Sequence, residues 1–180
     1  MDELALNILD IAYNSIRAHA SMIYIQIVDS VENNIIDISI KDNGHGMDKE
    51  TVEKVIDPFY TTRTTRKVGL GIPLFKQNAE LTGGYLKINS QINEGTNVEV
   101  RFIKNNIDTP VMGNIVETMV TLIQANEDID YEFEYKTDNS DFIMKTKDMK
   151  DILGDVKITE PEVLLWLKDY IKEGLVSWNH

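Results

Sequence analysis

The sequence predicts an α/β fold in which helices are interleaved with pairs of short strands. Residues 2–20 contain no Gly or Pro and keep a 3.6-residue apolar period, the mark of an amphipathic helix. The β-rich runs come in pairs, each joined by a brief polar turn, the mark of antiparallel hairpins. The chain has 180 residues, 42% apolar and 27% charged, which is ordinary for a globular protein able to bury a core without staples.

The elements follow in order. After the helix of residues 2–20 come strands Met22–Asp29 and Ile35–Lys41, joined by Val31-Glu32-Asn33-Asn34. Asp48 is placed to N-cap a short helix, Lys49–Ile56, which stops before Asp57-Pro58. Phe59–Val68 is rich in Thr and Arg and reads as a loop. Gly69-Leu70-Gly71-Ile72 leads into a helix with Pro73 near its start, ending at Gly83-Gly84. Strands Tyr85–Ser90 and Asn97–Ile103 flank the turn Asn93-Glu94-Gly95-Thr96. The stretch Asn105–Pro110 is the most linker-like and divides residues 1–104 from an acidic α/β extension, 105–180. In that extension Asn114–Asn126 reads as an amphipathic helix, and Tyr131–Lys136 and Phe142–Lys147 as a hairpin. The last helix begins at Glu160 and Pro161, with Gly174 past its end.

The net charge is −12, of which residues 105–180, with 7 basic and 16 acidic side chains, carry −9. Such a field repels nucleic-acid backbones and anionic lipid, so neither is an expected partner. With no cysteine there is no disulfide framework, thiolate metal site or cysteine nucleophile. No apolar run approaches the roughly 20 residues of a membrane span, and Met1-Asp2-Glu3 lacks the basic start of a signal peptide. The expected location is the cytoplasm.

Chemistry concentrates in three places. On the first helix Glu3, Asn7, Asp10, Asn14 and Arg17 line one face between apolar flanks. Asn is a poor helix former, so a stripe containing it is a candidate binding face as well as a solvated one. Asp42-Asn43-Gly44-His45-Gly46-Met47 follows a strand; it suits a tight turn, and its glycines also let a flat ligand approach backbone. Val68-Gly69-Leu70-Gly71-Ile72-Pro73 runs into a helix N-terminus, where unpaired N–H groups can meet a phosphate. Arg63, Arg66 and Lys67 lie just before it.

In this order the segments resemble the GHKL, or Bergerat-fold, ATP-binding domain of gyrase, heat-shock ninety chaperones, sensor histidine kinases and MutL. Leu9–Arg17 is similar to the N box, Asp42–Met47 to the first glycine box, and Asp57-Pro58-Phe59-Tyr60 to the F box of histidine kinases. Gly69-Leu70-Gly71-Ile72 is similar to the second glycine box, and Gly95-Thr96 to a late Gly-Thr pair. The resemblance implies a two-layer α/β sandwich, a mixed and mostly antiparallel sheet with helices on one face, binding ATP with Mg²⁺. Asp42 would accept from the adenine amino group with Thr96 in support, and Gly44, Gly46 and Met47 would complete the first glycine box against the base. Asn14 would be the Mg²⁺ ligand, and Arg17 would face the phosphates. Gly69, Leu70 and Gly71 would offer N–H groups to the phosphates, beneath a lid of residues 57–68.

Two departures bear on activity. Four residues before Asn14, gyrase-type ATPases have a Glu that activates water, and this chain has Asp10. Asp10 can act as a shorter general base, and it can equally hold a magnesium-bound water. No phosphoacceptor-histidine hairpin precedes the N box, so histidine autophosphorylation is not expected, and stand-alone members such as anti-sigma serine kinases are the better guides. Three function classes result: an ATP-responsive regulatory module acting on a protein partner through residues 105–180; an ATPase or serine/threonine protein kinase using Asp10; and a scaffold that has lost its ligand.

Overall fold

The computed structural model describes residues 3–61 and 71–176, with Tyr60 and Thr61 as backbone alone. The elements run α1 (Leu4–Arg17), β1 (Met22–Ser30), β2 (Ile35–Asp42), α2 (Lys49–Val55), α3 (Pro58–Thr61), α4 (Gly71–Leu81), β3 (Tyr85–Gln91) and β4 (Gly95–Ile103). They continue with α5 (Ile115–Ala125), β5 (Asp130–Thr137), β6 (Asp141–Lys145), α6 (Thr146–Leu153) and α7 (Pro161–Val176).

The strands form one six-stranded sheet in the order β3-β4-β2-β1-β5-β6. All neighbours are antiparallel except β1 and β5, which run parallel from Met22↔Asp130 to Asp29↔Thr137. Strand alternation separates the two faces. Ile23, Ile25 and Ile27 of β1, Ile38 and Ile40 of β2, and Val98, Val100 and Phe102 of β4 are buried beneath the helices. The opposite face is polar, as where both Arg101 Nε and Nη2 donate to the Asp37 carboxylate at 2.7 Å. The helix layer is a row in which α4 packs on α1, α1 on α5 and α5 on α7. This is the predicted mixed α/β sandwich.

Residues 105–176 build onto the same sheet. Asn105 N–H donates to Asn34 Oδ1 at 2.9 Å, and Thr109 Oγ1 donates to the Ile103 carbonyl at 2.6 Å, so the linker-like stretch folds back on β4. Leu4 and Ala5 N–H groups, unpaired within the first turn of α1, then donate to the Val111 and Met112 carbonyls at 2.9 and 2.8 Å. Asn114 caps α5 through Glu117 N–H at 3.1 Å, and fully buried Tyr131 of β5 donates to the Leu122 carbonyl at 3.0 Å. Burial pushes that phenol well above its ordinary range.

Three expectations need correction. Gly174 lies inside α7, not beyond it: a Cβ there would sit 2.3 Å from Phe142 Cε1, so glycine marks close helix-to-strand packing and not a cap. The strand predicted over Phe142–Lys147 stops at Lys145, and Thr146 begins α6 instead. Thr146 is fully buried with Oγ1 accepting from Tyr131 N–H at 2.8 Å, a tertiary contact that overrides the β preference of threonine. Finally, Pro58–Thr61 is a short helix within the segment read as loop from Phe59, started by Asp57 Oδ1 accepting from Phe59 N–H at 2.9 Å.

Candidate functional site

Asp42, Gly44, Gly46, Met47 and Thr96 gather where β2 ends and β4 begins, beside α1. Asp42 is the last residue of β2, on the helix-facing side, and is 8% exposed. Its Oδ2 accepts from Ser15 Oγ of α1 at 2.5 Å, and its Oδ1 from Gly44 N–H at 2.8 Å. A carboxylate offers about four lone-pair positions, so acceptor capacity remains for a ligand. Thr96 is Asp42's partner in the β2–β4 ladder. Its Oγ1 lies 2.8 Å from Ser90 Oγ, which accepts from Met47 N–H at 2.8 Å and donates to the Gly95 carbonyl at 3.0 Å. Ser90 has one proton, so with Gly95 as its acceptor Thr96 is the donor within the pair.

The first glycine turn is fixed from several sides. Asn43 Oδ1 accepts from Ser21 and Met22 N–H at 2.9 and 3.0 Å, tying the turn to the start of β1. Gly44 is buried against α1, and exposed His45 donates its N–H to the Ala18 carbonyl at 3.0 Å. Gly46 has φ +68°, and a Cβ would lie 1.9 Å from the Gln91 carbonyl oxygen. The protein's own backbone therefore requires glycine there, apart from any ligand.

The polar stripe of α1 borders its buried face, and the Asn7 Oδ1 atom is enclosed. Asp10 and Arg17 are exposed, while Asn7 and Asn14 are half-buried. Asn14 Oδ1 accepts from Arg17 Nη1 at 2.7 Å. Asp10 reaches the first residue of α4: a Cβ on Gly71 would meet Asp10 Oδ2 at 2.0 Å. The carboxylate thus lies at a helix N-terminus, whose dipole favours negative charge. Asp10, Asn14, Arg17, Asp42, Gly44, Gly46, Met47, Gly71 and Thr96 all fall within the described residues. Gly69 and Leu70 lie outside them, as do Arg63, Arg66, Lys67 and all of the predicted lid beyond Thr61.

Neither Ser15 nor Ser90 is among the predicted site residues, yet both hold the site together. Ser15 left a signal, since a hydroxyl on the buried side of an apolar helix needs a partner. Ser90 left none, because its neighbours come from strand register.

Residues 1–106 match the histidine kinase-, DNA gyrase B-, and HSP90-like ATPase family, and the chain belongs to that family. It is 32% identical over 95 residues to the sensor histidine kinase YvrG of Bacillus subtilis, covering 51% of this chain and 16% of that protein. A putative sensor protein of Shewanella frigidimarina is 31% identical over 103 residues, covering 57% of this chain and 15% of the relative. The chain therefore spans about a sixth of the length of these relatives. Among solved structures, the Aquifex aeolicus MutL ATPase domain complexed with ADP superposes with a TM-score of 0.51 at 17% identity, over 85% of this chain and 69% of that one. That likeness is one of fold. Among the described residues no helix is long and apolar enough to cross a membrane.

Proposed function

We propose that this chain is an ATP-binding regulatory module in which nucleotide, held with Mg²⁺ between α1 and the sheet, alters a surface read by a protein partner. The observation that carries it is the buried Asp42 carboxylate, held by Ser15 and Gly44 with acceptor capacity to spare, in a chain of this ATPase family. A carboxylate so placed can accept from an exocyclic amine, with the Thr96 hydroxyl beside it. Gly69, Leu70 and Gly71 are proposed to give N–H groups to the phosphates, and Arg17 to face them.

Asn14 and Asp10, one turn apart, offer an amide oxygen and a carboxylate, hard donors of the kind Mg²⁺ takes. Among the described residues no three His, Cys, Asp or Glu side chains form a metal cluster. An ion at Asn14 would thus take most of its ligands from phosphate oxygens and water, and would supply charge neutralisation there. Asn14 Oδ1, which accepts from Arg17 Nη1, would have to be freed from that bond to hold an ion.

The partner surface is assigned to residues 105–180, and a route to it supports the reading. Thr118 Oγ1 of α5 donates to the Ala5 carbonyl of α1 at 3.0 Å, and Lys168 of α7 pairs with Glu117 of α5. One observation favours a second reading, an ATPase or protein kinase: Asp10 is exposed and lies at the N-terminus of α4, where a general base could reach water or a hydroxyl. Incubation with γ-labelled ATP separates the two. Tight binding without phosphate release supports the module; release that is lost in Asp10→Asn supports the enzyme.

A further inference from the structure

We infer that the outer face of α7 is a docking site for a basic peptide segment that also carries apolar side chains. The inference rests on the reading that residues 105–180 carry the partner surface, and it names the face and the chemistry. Helix α7 buries Leu167 and Ile171 completely and turns Leu165, Trp166 and Tyr170 outward at 65%, 53% and 38% exposure. Trp166 and Tyr170, one turn apart, stack with centroids 5.3 Å apart and planes within 17°. Tyr170 is buttressed in turn by Phe142 of β6 at 5.7 Å. The aromatic pair is therefore a held surface, and a helix packed only for the core would put polar residues at these positions.

Charge complementarity selects the occupant. Glu162, Asp169 and Glu173 fall on the same helical face as the aromatic pair, and all three are exposed. None of these carboxylates makes an ion pair among the described residues. Lys168, by contrast, is turned to the α5 side and engaged by Glu117. The face thus offers stacked rings rimmed by three exposed negative charges, within a segment of net charge −9. Guanidinium groups suit it doubly, since they pair with carboxylates and lie over indole and phenol rings. An acidic segment is repelled, and an apolar segment without cations would leave the carboxylates unpaired.

The test uses the full chain carrying Trp178→Phe, so that Trp166 is its one tryptophan, and three synthetic peptides with the same apolar residues and Arg, Ser or Glu at the polar positions. Expected are a change in Trp166 emission with the Arg peptide, affinity at least tenfold above the Ser peptide, no binding of the Glu peptide, and weakening by salt. Reversing the rim (Glu162→Lys, Asp169→Lys, Glu173→Lys) should abolish the preference. A milder set, Glu162→Gln, Asp169→Asn and Glu173→Gln, guards against misfolding and should reduce it at least tenfold. Equal affinity for the three peptides, no binding of any, or an unchanged preference in the milder set overturns the inference. So does concentration-dependent self-association, seen by sedimentation, that Trp166→Ala abolishes, for the occupant would then be a second copy. Repeating the titration with ATP and Mg²⁺ separates the two readings. Arg-peptide binding indifferent to a nucleotide that does bind defeats the regulatory reading and spares the docking face; ATP binding without any peptide preference does the reverse.

Discussion

Replacing Asp42 by Asn separates the fold from the ligand. The carboxylate accepts two hydrogen bonds from the protein, from Ser15 Oγ at 2.5 Å and Gly44 N–H at 2.8 Å. An Asn can keep both: its Oδ1 accepts from Gly44, and its Nδ2 donates to Ser15 Oγ, which turns its own proton elsewhere. What is lost is the charge. Hydrogen bonds to charged groups contribute about 1.5–3 kcal/mol and neutral ones about 0.5–1.5, a difference of about 1–1.5 for each of the two, so stability should fall by about 2–3 kcal/mol. The adenine amino group loses its acceptor, because the variant sets a donor against a donor. The expected loss is about 1–3 kcal/mol, or roughly 5- to 150-fold in Kd. Calorimetry with ATP and Mg²⁺, beside urea denaturation of both proteins, reads the two effects separately. Equal ATP affinity in wild type and a folded variant refutes the assignment of Asp42.

Four other outcomes are expected. In Gly71→Ala the new Cβ displaces the Asp10 carboxylate, an exposed and movable group, so the urea midpoint should barely change. If the protein turns over ATP, Gly71→Ala and Asp10→Asn should lower the rate together and their double variant no further; additive losses would show that the two do not act as a unit. Gly174→Ala should lower the midpoint, because overpacking against Phe142 costs about 1–3 kcal/mol and exceeds a helix-propensity gain of about 0.8–1.0; a raised midpoint refutes that packing. The Ser30 hydroxyl and the Glu32 and Val31 N–H groups hold the Asp138 carboxyl below its ordinary value. A depressed folded-state pKa gives stability that is present in full above the unfolded value and lost as pH falls through the folded one. The midpoint difference between wild type and Asp138→Asn should therefore hold above about pH 4 and shrink below it, and a difference that grows on acidification refutes the cause.

Much of this architecture is written locally, and the exceptions share a cause. The 3.6-residue stripe of α1 and the strand alternation of β1 to β4 each need only a few neighbouring residues, and so does the Asp48 cap, whose Oδ1 accepts from Thr51 N–H at 2.8 Å. The contact of Ser15 with Asp42 spans 27 positions and depends on how α1 lies on the sheet. Alternation in Tyr131-Glu132-Phe133 shows which side of β5 is buried but not that β5 lies beside β1. Gly174 carried a true signal with two meanings, a helix end or a close approach, and only the position of Phe142 separates them. Likewise, Thr146 favours a strand by itself and starts α6 because its hydroxyl meets Tyr131 N–H.

The pairing of β1 with β5 also has a consequence in time. Met22 leaves the ribosome about a hundred residues before Asp130, its partner. At about 5–20 residues per second, β1 waits roughly 5–20 s with one side unmatched. That row of amides and carbonyls, beside Ile23, Ile25 and Ile27, is a template for any neighbouring strand. A nascent chain halted before β5 is thus an aggregation hazard of its own making, with an open strand edge available to any neighbouring chain.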